Sequence, residues 1–200
     1  MCGLAGLVLA QTAPPAATTF ALHISVAADD TGQPLADAGW LALEIETAKG
    51  LFEPFGVRFA GAKGALLDTR LARVDTRADR NSLASRVTPG VIDVFVVGSL
   101  RDVDDPAQMR RGVHWHAPSG VHYVILVASA PATVLAHELG HYFGNPHSRA
   151  LDNVMSYERS GAPVFFDAEQ GKRIAARAHS YVKSGELAPV SVDSDIRAGR

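Results

Sequence analysis

Two hundred residues, 47% hydrophobic and 20% charged, suit one globular domain with a sizeable core and exclude a disordered chain. A net charge of −2 gives no electrostatic case for nucleic acid or an anionic membrane as partner. The single cysteine, Cys2, excludes an intrachain disulfide, and no stretch approaches the ~20 apolar residues that span a bilayer.

Residues 1–19 begin with a short apolar run, Leu4–Ala10, followed by a Thr/Ala/Pro linker. Val8-Leu9-Ala10 resembles a small-residue cleavage site, although no Lys or Arg precedes the run. The segment reads as a truncated secretory signal or lipoprotein start and points to a secreted or cell-envelope product, with the cytoplasm not excluded. Phe20–Val26 alternates as a first strand would. Asp37–Lys49 places Trp40, Leu41, Leu43, Ile45 and Ala48 at helical spacing, and Gly50 is the expected end. Val57–Phe59 begins a second strand, and Leu66–Val74 fits strand or helix equally. Thr76–Val87 predicts a short polar helix, and Val91–Val97 a strand buried on both faces. Ser99–Gln108 is charged and irregular, as in a surface loop. Gly112–His116 reads as an edge strand and His122–Val127 as a buried one. A helix is expected from near Pro131, since proline is tolerated in a first turn. Asp167 is the expected N-cap of a C-terminal helix. That helix would turn Ile174, Ala175, Ala178, Tyr181 and Val182 inward and end near Gly185. Residues 186–200 read as a loose tail. This order predicts an α/β domain over 20–185, with no repeat and no second domain.

The helix expected after Pro131 carries His137-Glu138-Leu139-Gly140-His141-Tyr142-Phe143-Gly144-Asn145-Pro146-His147, or H-E-x-x-H-x-x-G-x-x-H. Residues four apart share a helix face, so His137 and His141 project side by side. Glu138 lies about 100° round the helix, within reach of a water but not a ligand itself. Gly144 can take a positive φ and end the helix, and Pro146 prevents its return. The chain then offers His147 as a third nitrogen. Three protein ligands leave a zinc ion one open position, as catalytic sites require.

This run resembles the signature of the metzincin zinc peptidases, in which a methionine-containing turn follows the histidines. Asn153-Val154-Met155-Ser156-Tyr157 matches that turn. The resemblance implies a twisted mixed β-sheet, a zinc-binding active-site helix, a Met-turn and a C-terminal helix. It implies one catalytic Zn2+ on His137, His141 and His147, with Met155 as an apolar floor beneath them. Tyr157 would ligate the metal or hydrogen-bond the reacting carbonyl. The subfamily divides: the histidine run looks like matrixins, whereas the turn with Tyr157 looks like pappalysins or astacins. The expected activity is that of a zinc-dependent endopeptidase, with Glu138 assisting attack of a zinc-bound water. Two alternatives share the site: an amidase acting on a non-protein amide, and a non-catalytic binding module.

A protein or peptide substrate is expected to lie extended along Val113, His114, Trp115 and His116. His114 and His116 stand two apart on one strand face. With His122 they offer a second metal set, although hydrogen-bonded histidines beside the cleft are the expected reading.

Overall fold

The computed structural model describes residues 17–190. The signal-like run and residues 191–200 lie outside that range. Eleven elements follow one another: β1 (Thr18–Ala27), α1 (Ala38–Phe52), β2 (Val57–Leu67), β3 (Arg73–Val74), α2 (Arg77–Ser82), β4 (Ile92–Val97), β5 (Ser99–Leu100), β6 (Gly112–His116), β7 (His122–Val127), α3 (Val134–Tyr142) and α4 (Ala168–Ser184). Five strands form one sheet in the order β2-β1-β4-β7-β6. All its pairings are parallel except β6 with β7, which is antiparallel. The expected α/β architecture with a mixed sheet is therefore present, and β6 is an edge strand.

Alternation along the central strands builds two cores. Ile92, Val94 and Val96 of β4 face α1, α3 and α4 with Phe52, Leu139, Phe143 and Ile174. Phe95 and Val97 face the other way, with Leu83, Tyr123 and Ile125. A period of two sends successive side chains to opposite faces, so a strand buried on both must be apolar throughout.

Several boundaries differ from expectation. α1 is capped by Asp37, whose side chain accepts from Trp40 N, but runs past Gly50 to Phe52. Phe52 is fully buried, and its packing outweighs the helix-ending tendency of an exposed glycine. The ambiguous Leu66–Val74 segment is the end of β2, a short 3-10 turn and β3. The Thr76–Val87 helix is split into α2 and a 3-10 turn, and Ser99–Leu100 pairs with β3 inside the expected loop. α4 begins at a capping box of Asp167 and Gln170 and ends at Gly185 with φ 78°. Ile174, Ala178 and Tyr181 are buried, but Ala175 and Val182 are exposed. Each lies one residue, about 100°, off the buried stripe.

Thr18 and Thr19, grouped with the leader, belong to β1. Residues 186–190, expected to begin a loose tail, lie against the sheet instead. Leu187 is buried, Ala188 N donates to Gly90 O at 2.8 Å and Val190 N to Thr19 O at 2.9 Å. Main-chain bonding of this kind carries no side-chain signature. Among the described residues no helix is long and apolar enough to cross a membrane.

Candidate metal centre

α3 lacks a side-chain cap of its own at Thr133. The N–H of Leu135 is met from outside, by Glu44 Oε2 of α1 at 3.1 Å. A carboxylate at a helix N-terminus faces free N–H groups and the positive end of the dipole. Glu44 is nevertheless buried, its Oε1 has no partner among the described residues, and burial pushes its carboxyl up to about 7.

His137 and His141 project from one face of α3. His137 Nδ1 donates to Val154 O at 2.7 Å, and His141 Nδ1 donates to Asn145 O at 2.8 Å. Carbonyls only accept, so both protons lie on Nδ1 and both Nε2 lone pairs face the cleft. Gly144, at φ 86°, turns the chain, and Asn145 N donates back to Gly140 O. Pro146 and His147 then swing under the helix end. His141 Nε2 and His147 Nε2 come within 3.1 Å, and one ligand atom from each of the three rings lies within 4.8 Å of the others.

The donor set fits zinc. Tetrahedral Zn–N bonds of about 2.0–2.1 Å hold two nitrogens about 3.3 Å apart, near the separation seen. Burial lowers the basicity of all three imidazoles, and His137 also lowers that of His141, which falls to about 4. Neutral imidazole is the form that binds metal.

Glu138 is buried beside the cleft. Its Oε2 accepts from the backbone N–H of His114 on β6 at 2.8 Å. Gly112 leaves room for it: a Cβ there would stand 2.9 Å from Oε1. Burial raises the Glu138 carboxyl to about 8, against the His114 hydrogen bond, which lowers it.

The turn Asn153–Tyr157 packs beneath the histidines. Met155 is fully buried, and a Cβ on Gly140 would fall well inside contact distance of its sulfur. The glycine within the histidine run therefore admits the methionine. Asn153 and Gln170 exchange two amide hydrogen bonds, at 2.8 and 3.0 Å, and Asn153 Oδ1 also accepts from Met155 N. That pair ties the turn to the start of α4. Tyr157 is 70% exposed, and its Oη lies 2.9 Å from His147 Nε2.

A cleft of about 560 Å³ joins these groups. Of the four residues expected to line it, Val113, His114 and Trp115 do so, whereas His116 lies outside it, grouped with His114 and His122. His116 is the last residue of β6. Arg80 and Arg110 line the cleft and were not anticipated. The Arg80 guanidinium stacks 4.7 Å over Trp115, whose Nε1 donates to Asn81 Oδ1 at 2.9 Å. Nor did the sequence single out Glu44, Asn145 or Gln170, whose roles arise only from long-range contact or from the main chain.

The α/β fold that carries the three convergent imidazoles has counterparts among solved structures. Two of the solved structures similar to it are a bacterial and an archaeal protein. Metalloproteinase-II from Bacteroides fragilis matches with a TM-score of 0.54 and 13% identity, over 82% of this chain and 55% of that one. Archaemetzincin from Methanopyrus kandleri matches with a TM-score of 0.55 and 15% identity, over 80% of this chain and 96% of that one. The chain thus spans about half of the first protein and nearly all of the second; the likeness is one of fold. No family model and no curated protein sequence matches.

Proposed function

We propose that this chain is a zinc-dependent endopeptidase of the metzincin type, with one catalytic ion held by His137, His141 and His147. The observation that carries the reading is the convergence of one ring nitrogen from each of three histidines beside a buried carboxylate. Zinc, when bound, supplies a Lewis acid for the scissile carbonyl and acidifies water at its open position.

Glu138 is the general base. Its Oε2 is fixed by the His114 N–H, and among the described residues no donor engages Oε1. Oε1 accepts a proton from the attacking water as oxygen bonds to the carbonyl carbon. The same proton passes to the amine nitrogen as the C–N bond breaks. One carboxylate beside the water serves both halves of that transfer. Tyr157 Oη now shares His147 Nε2, a nitrogen needed for coordination. Its exposure lets the ring swing away, where it donates to the carbonyl oxygen as charge develops. Met155 holds the floor under the histidines. The free edge of β6 pairs with an extended peptide, and the apolar run Leu4–Ala10 supports export.

The test is cleavage of an unfolded protein such as casein by the zinc-loaded chain. A chelator abolishes cleavage and added zinc restores it. Glu138→Gln retains zinc and loses about 10²–10⁴-fold in rate. Full activity in that variant sinks the assignment, and turnover of small amides without peptides favours the amidase reading.

A further inference from the structure

We propose that His114, His116 and His122 form a second site for a divalent transition metal of the zinc class, with Glu186 orienting His122. The argument begins with strand register. β6 pairs antiparallel with β7 so that His116 stands opposite His122, and His114 lies two positions away on the same face. Ring centroids are separated by 4.5, 5.0 and 5.1 Å, and one ligand atom from each ring lies within 4.8 Å of the others.

Two of the rings turn a nitrogen toward each other. His114 Nε2 and His122 Nδ1 face each other at 2.7 Å. A tetrahedral zinc would hold them about 3.3 Å apart, which a small ring rotation achieves. His122 Nε2 lies 2.6 Å from Glu186 Oε1, so its proton sits toward the carboxylate and leaves Nδ1 as the lone-pair nitrogen. A carboxylate behind a histidine in this way fixes tautomer and ring angle around metals. The Tyr142 ring stacks on His122, with centroids 4.1 Å apart and planes at 18°.

Simple hydrogen bonding accounts for His114 and His122 but not for His116. Its ring lies parallel to His122 at 9°, and among the described residues its ring nitrogens accept and donate no hydrogen bond. Three imidazoles and no charged partner inside the ring suit zinc, copper or nickel rather than calcium or magnesium. The exposed His116 side leaves a coordination position open to water. A metal here would clamp the β6–β7 end to Glu186, beyond α4. It would also stiffen the strand whose His114 N–H steadies Glu138. The site uses none of the ligands of the first centre, and its count is independent of turnover.

Elemental analysis of the full chain, loaded with micromolar Zn2+ and desalted, tests this. The expected content is two zinc per chain, falling to one in His116→Ala. His141→Ala/His147→Ala retains one, and adding His116→Ala to that pair leaves none. Glu186→Gln weakens the second site about 10–100-fold without changing the first. Circular dichroism and Tm verify that each variant is folded, and zinc should still raise the Tm of His141→Ala/His147→Ala. One zinc in the parent chain, two in His116→Ala, or no zinc and no Tm response in the double variant overturns the proposal.

Discussion

Gly140 is the residue that admits the Met155 sulfur beneath α3. Any side chain there enters the space of the Met155 sulfur and comes within 3.2 Å of Phe166. Gly140→Ala is therefore expected to destabilise the fold by about 1–3 kcal/mol through overpacking, read as a lower denaturant midpoint at unchanged slope. An unchanged midpoint would mean that Met155 is free to move. Residues at this scale divide sharply in how far the sequence discloses them. His137, Glu138 and His141 were legible because helix geometry sets their spacing, and His147 because Gly144 and Pro146 turn the chain beyond the helix. Met155 and Tyr157 were legible through resemblance alone. The carbonyls of Val154 and Asn145, which set the histidine tautomers, carry no residue-type signature. Glu44 lies 91 positions from its Leu135 partner, and only the folded chain brings them together.

Between elements, the start of α3 depends on that buried carboxylate from α1. Glu44 has a carboxyl raised to about 7 from an ordinary value near 4.5. Between those values the folded chain holds a proton that the unfolded chain has released. Its contribution to stability is thus fully present below about pH 4.5 and is lost as pH rises toward 7. Glu44→Gln keeps an acceptor for Leu135 N–H and removes the charge. The variant should match the parent near pH 4.5 and exceed it at pH 8 by on the order of 1–3 kcal/mol. Denaturation curves at both pH values decide this; an equal difference at the two would refute it. α4 was readable from its N-cap Asp167 and terminal glycine, which are local signals. The length of β2 was not, because its glycines suggest an early stop. Gly64 instead permits close strand approach: a Cβ there would sit 2.6 Å from Ile24 O, beside the irregularity in the β1–β2 register. That need is set by the neighbouring strand, so β2 alone could not announce it.

Across the whole molecule, the sheet order β2-β1-β4-β7-β6 brings α3 over β6 and β7, so the histidines, Glu138 and the cleft meet at one border. The alternating and continuous apolar runs made the α/β class legible; the order of strands was not, since pairing is decided by crossovers. A metal bound only by the folded chain stabilises it by mass action. With free zinc at 100 times Kd the gain is about 2.7 kcal/mol, which raises the Tm of a chain this size by roughly 5–10 °C. Calorimetry with zinc and then with chelator should show the rise and its reversal; an indifferent Tm would mean that the cluster does not grip the ion. The border strand also has a built-in gap. The amide of His114, midway along β6, is already engaged by Glu138. A visitor aligned with this rim therefore forfeits one main-chain bond, worth about 1 kcal/mol, beside Glu138. Bent or side-chain-anchored ligands lose less there than straight ones, so the rim narrows the advantage of a fully stretched guest.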